Sequence, residues 1–388
     1  MEAVNNQPMI LKTKPSFDWR AYRRELIPLL VIIFCGVIFH YLSNGAFVTP
    51  RNLSNLSRQV CVNLTLAVGM TLVILTSGID LSVGSVLALS GMAAAISQVQ
   101  WQWATMGLGG AAASFLLAIS VGGLSGALTG MAVSRLKITP FIVSLGMMVI
   151  ARGMTLIISS AQAVAPLGET LGKLSSDYLP PYESMFLLGV GGVLSLGYIG
   201  FSYSKSSITF IELIQNLIMT VLGFGGSMLV FCGYRGIPYM VFISVFCAIA
   251  GMFTLKYTRF GRFIYAIGGN REAAELSGVP VVKTLWLTYF VMGALAGLAG
   301  VMDTARVNGA VPSAGELGEL DAIAAVVIGG TSLMGGVGKI SGTVLGVLIM
   351  GILNNGMSLI GVSEHYQKVF KGVVIILAVY LDLRSKKK

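Results

Sequence analysis

Apolar residues in this chain come in long, nearly unbroken runs, without the strict alternation of strands or the narrow stripe of a surface helix. Between charges and turn signals the runs fall at 26–42, 59–76, 82–98, 105–133, 141–158, 184–203, 211–232, 237–255, 285–304, 322–336, 340–360 and 367–383. Most approach the roughly 20 residues a helix needs to cross a hydrocarbon core. Inside lipid a lone segment must satisfy its own backbone hydrogen bonds, and a helix does so. The pattern predicts an all-α fold, a polytopic transmembrane helical bundle of about 10–12 spans. The run 105–133 is long enough to tilt or bend, whereas 322–336 is short for a crossing.

Composition sharpens this reading. Of 388 residues 55% are hydrophobic and 11% charged, against roughly 25% charged in soluble domains. No soluble domain of any size is expected. The chain divides into a cytoplasmic N-terminal segment (1–25), a transmembrane domain (26–383) with a cytoplasmic loop at 256–283, and a basic cytoplasmic tail (384–388). The net charge of +10 sits in short clusters between apolar runs, which is the positive-inside pattern rather than a nucleic-acid surface. Lys12, Lys14, Arg20, Arg23 and Arg24 precede the first run, and no A-x-A cleavage site follows it, so that run is expected to be a retained helix. Arg384, Lys386, Lys387 and Lys388 follow the last run. Both termini are therefore placed in the cytoplasm, which requires an even number of crossings. Four cysteines in apolar segments, without pairing or ligand spacing, and only two histidines predict buried thiols, no metal site and no cofactor.

Glycine, with 49 residues, is too abundant for loops alone. Gly122, Gly126 and Gly130, and again Gly293 and Gly297, have the four-residue spacing that lets helix backbones approach closely in lipid. Two segments interrupt the apolar pattern with Gly and hydroxyl residues: Thr76–Ser85 and Ile328–Lys339. One lies in each half, as either the broken helices of an internal repeat flanking a transport path or a pair of ordinary tight turns at the surface. Ser77, Asp80, Ser82, Ser85, Thr331 and Ser332 are the candidate path residues, because a neutral solute needs hydroxyls and backbone groups rather than fixed charges. Asp80, Arg152, Glu212, Asp303 and Asp321 are the ionisable residues near spans. They form no carboxylate chain across the bilayer of the kind a proton relay needs.

The loop 256–283 contains Gly268-Gly269-Asn270 followed by Arg271 to Ser277 and then Gly278-Val279-Pro280. Asn270 can cap a short helix, Glu272 suits its positive end, Gly278 can close it and Pro280 prevents its continuation. Two turns are too few to persist alone, so the helix either docks on a partner or packs under its own membrane domain. Ala273 and Ala274 would let another surface come near.

At these residues a family resemblance emerges. Gly78–Ser85 (GIDLSVGS), Pro140–Gly153 (PFIVSLGMMVIARG), Gly261–Pro280 (GRFIYAIGGNREAAELSGVP) and Glu319–Gly336 (ELDAIAAVVIGGTSLMGG) resemble, in order, the membrane permease subunits of bacterial ABC importers for ribose, galactose, arabinose and xylose. The resemblance runs from about residue 50 to the end. The additional apolar segment at 205–235, ending in Tyr234-Arg235-Gly236-Ile237-Pro238, is similar to the longer xylose-type members. What the resemblance implies is a homodimeric pore in the bacterial inner membrane, ATP-binding cassettes on the cytoplasmic face and a periplasmic sugar-binding protein. Gly268, Gly269, Asn270, Ala273, Ala274, Ser277 and Gly278 would form the coupling helix that docks on the cassette. ATP hydrolysis must then reside on another subunit, since Gly338-Lys339-Ile340 lacks both the following hydroxyl and the upstream glycine of a Walker A loop.

Two other classes compete. A proton-coupled secondary sugar transporter would need exchangeable intramembrane carboxylates and no docking loop. A membrane-embedded enzyme fails on inventory, with no H-E-x-x-H and no G-x-S-x-G. The expected substrate is a neutral aldopentose, D-xylose first and a hexose such as galactose or glucose next.

Overall fold

A computed structural model describes residues 19–205 and 210–386. Lys12 and Lys14, together with Lys387 and Lys388, lie outside the described residues. Helices account for nearly all of it: α1 (Trp19–Leu42), α2 (Pro50–Leu75), α3 (Val83–Val99), α4 (Gly107–Ser134), α5 (Pro140–Ile158), α6 (Glu169–Ser176), α7 (Pro181–Ser204), α8 (Phe210–Thr220), α9 (Gly226–Cys232), α10 (Tyr239–Tyr257), α11 (Arg259–Gly269), α12 (Arg271–Leu276), α13 (Val281–Val307), α14 (Gly318–Ile328), α15 (Ile340–Leu359) and α16 (Glu364–Lys386). Among the described residues eight helices are long and apolar enough to cross a membrane, and Ile27–Leu42 and Val83–Val99 are shorter apolar helices. Proline opens α2, α5 and α7 at the first helical position, where its missing N–H costs nothing. Between α8 and α9, in a stretch holding Gly223, Gly225 and Gly226, the helix loosens into one π turn at Val221–Gly225.

Contacts between helix ends fix the route of the chain. Gly336 N–H donates to the Leu75 carbonyl, so the end of α2 and the α14–α15 turn share one end of the bundle with the 256–283 loop. At the opposite end Tyr178–Leu179 pairs antiparallel with Ile237–Pro238, and Val164 bridges Ala310. Gly356 packs on Phe39, so α1 runs parallel to α15. Lys368 meets Glu316 and Lys371 meets Asp321, so α16 runs parallel to α14. The chain thus passes between the two ends through α1, α2, α3, α4, α5, α7, the α8–α9 pair, α10, α13, the 308–328 segment, α15 and α16. These passes are even in number, and both described ends point toward the 256–283 loop.

The run 322–336 is not one crossing helix. Its helix, α14, spans Gly318–Ile328, and an irregular turn to Lys339 follows. The pass is completed from the other side, by the non-helical, turn-rich chain from Asn308 to Leu317. This also corrects the matching of the two breaks. The segment 308–317, not Ile328–Lys339, corresponds to the non-helical 76–82. The order α2, break, α3, α4, α5 recurs as α13, break, α14, α15, α16 with reversed direction. The packing follows the repeat: α3 lies on α13 as α14 lies on α2, with α3 against α4 and α5 and α14 against α15 and α16.

Both predicted small-residue steps are used, and against each other. A Cβ at Gly122 would overlap the Gly293 carbonyl, and one at Gly126 would overlap the Tyr289 carbonyl. Gly297 in turn lies on the Ala118 carbonyl. This seam joins α4 and α13 face to face at the centre of the bundle. Buried Met70, Met92, Met292 and Met302 pack around it, as expected for methionines in the spans.

Candidate functional site

The 256–283 loop folds into two helices where one was expected. Thr258 Oγ1 accepts from Gly261 N–H at 3.1 Å and starts α11, which the sequence reading missed. Asn270 then caps α12 as expected, its Oδ1 accepting from Ala273 N–H at 2.9 Å. Ser277 Oγ donates to the Ala273 carbonyl at 2.7 Å. Gly278 closes the helix at φ +80°, the left-handed conformation the motif demanded.

The two alanines face opposite ways. Ala273 is exposed, but Ala274 is buried against Ile267, Val281 and Leu285. Ala274 therefore anchors the helix to its own domain and is not part of the outward surface. Leu276 takes that place, being 90% exposed beside Ala273 and Ser277. An isolated leucine in a polar loop was a legible signal, though not a decisive one.

Beneath α12 three segments are tied together. Ser77 Oγ donates to the Met334 carbonyl at 2.7 Å and lies 3.4 Å from that of Gly268. Gly336 N–H donates to Leu75 O at 3.0 Å, and the Tyr265 hydroxyl donates to Gly338 O at 2.8 Å. At Gly268 any side chain would strike the Leu75 carbonyl. The loop is thereby joined to both the α2–α3 break and the α14–α15 turn. A displacement of α11–α12 must move those segments, because their backbones are in contact.

The candidate path residues do not share one wall. Ser77 alone lines an open cavity of about 320 Å³ under the loop. Asp80 is buried and accepts from Ser82 N–H at 2.9 Å and Ser82 Oγ at 2.6 Å, a local turn that opens α3. Ser85 is buried in the first turn of α3. Thr331 and Ser332 are sealed within the α14–α15 turn, where Ser332 Oγ accepts from Met334 N–H.

Deeper in the bundle the two breaks meet, the Gly84 and Gly315 backbones in mutual contact beside Glu319. Arg152 donates to the carbonyls of Pro312 and Ala314, satisfying turn backbone that has no helix to pair it. Lys371 on α16 pairs with Asp321 of α14 at 2.8 Å, and Asn354 of α15 donates to the same carboxylate at 3.0 Å. Arg152 lies within the apolar run 141–158 and Lys371 within 367–383, and a cation inside such a run is the sequence signal for these clamps. Among the described residues no group of three or more His, Cys, Asp or Glu side chains could hold a metal.

Comparison with known proteins matches residues 52–379 to the family described as branched-chain amino acid transport system / permease component. The xylose transport system permease protein XylH of Escherichia coli (strain K12) is 36% identical over 371 residues, covering 93% of this chain and 92% of that protein. XylH of Haemophilus influenzae is 37% identical over 372 residues, or 93% and 96% of the two chains. The ribose import permease protein RbsC of Escherichia coli (strain K12) is 39% identical over 369 residues, 95% of each. No solved structure matches the chain. With the family match running from the first turn of α2 almost to the end of α16, taking in both breaks and the α11–α12 loop, the chain belongs to this family of transport-system permease components.

Proposed function

We propose that the chain is the membrane-spanning subunit of an ATP-driven importer that moves a neutral monosaccharide across a bacterial inner membrane. The observation that carries this reading is α12. It is a two-turn helix, capped by Asn270 and closed by Gly278, with Leu276 presented outward and its base joined to the α2–α3 break and the α14–α15 turn. A helix that short is useful as a docking element for another protein. That partner is a separate ATP-binding subunit, and the loop end of the bundle is then cytoplasmic, as are both termini. A sugar-binding protein delivers substrate at the opposite end, where the Tyr178–Leu179 and Ile237–Pro238 pairing lies, and two copies of the chain enclose the path. The breaks at 76–82 and 308–317, rich in backbone groups and poor in free charge, suit an uncharged solute.

The sugar is a neutral aldopentose. Relatives named for xylose and for ribose are about equally similar. Of the segment 205–235, which suggested xylose, residues 210–232 form the largely exposed α8–α9 crossing beside α7, away from the cavity. Xylose therefore remains the first sugar to test, without support from the site. Uptake of labelled xylose, ribose and galactose should be measured in a strain deleted for the gene. We expect loss of pentose uptake that is sensitive to vanadate and indifferent to a protonophore. The reverse sensitivity would establish a proton-coupled carrier, and unchanged sugar uptake would remove the sugar assignment.

A further inference from the structure

The bend between α10 and α11 carries a surface that neither the helix packing nor α12 uses. Phe246, Ile249, Phe253 and Tyr257 form one apolar stripe along α10, each more than half exposed. The stripe ends on two aromatic rings, Phe253 and Tyr257, with centroids 5.4 Å apart, as side chains do at the headgroup level of a bilayer. Lys256, Arg259 and Arg262 lie at that end, all exposed, with Lys256 Nζ 5.2 Å from the Tyr257 ring. No Asp or Glu occurs between Glu212 and Glu272. Among the described residues no carboxylate pairs with these cations, unlike Lys368 and Lys371. The bend is tight, because a Cβ at Gly261 would strike the Thr254 carbonyl of α10. Along α11 the 100° step turns Tyr265 to one flank, where it reaches Gly338, and Phe263 with Arg259 to the other. Arg262 lies on the outward face between them.

We propose that the α10–α11 bend binds an anionic phospholipid, its phosphate among Lys256, Arg259 and Arg262 and its acyl chains along the Phe246–Tyr257 stripe. The cations continue a surface that faces hydrocarbon, and a lipid carries both the anion and the apolar tail that such a surface fits. Free phosphate has no use for the stripe. The bound lipid tethers α11 to the membrane surface, and with it α12 and the contacts of Tyr265 and Gly268. Coupling therefore depends on anionic lipid. That consequence rests on the reading of α12 as the docking helix, whereas the lipid site does not.

The test titrates the full-length permease in detergent, alone and assembled with its ATP-binding subunit, with phosphatidylglycerol or phosphatidylcholine of the same chains. Bound lipid is counted by native mass spectrometry. Phosphatidylglycerol should bind more tightly, and the triple variant Lys256→Gln, Arg259→Gln, Arg262→Gln should weaken it about a hundredfold at low salt, about fivefold per cation. The triple variant Arg135→Gln, Lys137→Gln, Lys205→Gln, which removes the same charge from exposed residues at the same end of the bundle, should leave binding unchanged. Equal losses in both triple variants overturn the site, since a diffuse positive surface then accounts for the binding. Displacement of the lipid by inorganic phosphate also overturns it. So does release of the lipid on assembly, which assigns the cations to the ATP-binding subunit. In nanodiscs, adding phosphatidylglycerol to phosphatidylcholine should raise sugar-stimulated ATP hydrolysis severalfold in the parent complex and not in the Lys256, Arg259, Arg262 variant. A parent complex indifferent to phosphatidylglycerol overturns the tether. Selective lipid binding in a chain that imports no sugar keeps the site and overturns the transport reading instead.

Discussion

Single residues decide how the irregular parts of this bundle survive in an apolar surrounding. Lys371 and Asp321 lie inside it, 18% and 9% exposed, and each neutralises the other across the α14–α16 contact. Removing one partner strands a charge, which typically costs about 3–5 kcal/mol. Lys371→Met should therefore lower the melting temperature of the detergent-solubilised protein. The double variant Lys371→Met, Asp321→Leu should recover much of the loss. If both behave like the parent, the pair is not holding α14. Gly278 works through backbone alone. At φ +80° a β-branched side chain is strained, so Gly278→Val should unwind the end of α12. Transport and sugar-stimulated ATP hydrolysis should fall at least tenfold while the amount of inserted protein stays the same. Wild-type transport in that variant would show the closure to be dispensable.

Helices and breaks set which surface meets a partner. Because Ala274 turns inward and Leu276 outward, the crosslink to the ATP-binding subunit belongs at Leu276. A cysteine there should couple to the cassette in assembled complexes, and one at Ala274 should not. Leu276→Asp should uncouple transport from ATP hydrolysis without loss of folded permease, since the side chain makes no internal packing. Efficient crosslinking from Ala274 with none from Leu276 would mean that α12 docks by its other face. The α4–α13 seam is a different kind of element. Glycine spacing alone announced a close approach, but not that the two glycine sets would be each other's partners.

Considered whole, the molecule is two helix sets of opposite direction joined along α2 and α13, where the breaks of the two sets meet. Each break starts a half-helix whose unpaired backbone is covered by protein rather than lipid, by Arg152 at one and by the Ser82–Asp80 turn at the other. The even number of passes brings both described ends, Trp19 and Lys386, to the side of the 256–283 loop. Reporter fusions after Lys14 and Lys388 should both read as cytoplasmic, as should one in the 256–283 loop. A periplasmic signal from any of the three would break the shared sidedness of these segments.

The sequence by itself determined the class of the protein, nearly every crossing and the capped short helix α12. All of these follow from local physics: a run long and apolar enough to span, Pro50, Pro140 and Pro181 placed where a helix begins, an Asn-to-Gly frame that bounds a short one. Only tertiary structure decided how residues distant in the chain face one another. The apolar run 322–336 hid a helix that starts earlier, at Gly318, and ends at Ile328, because the crossing is completed by upstream chain whose Pro312 and Ala314 carbonyls are satisfied by Arg152 from a remote helix. Ala273 and Ala274 are alike in composition and differ only in which way α12 rests on Ile267 and Leu285. Ser77 and Met334 belong to separate turns, and only the packing of α14 on α2 brings one within reach of the other.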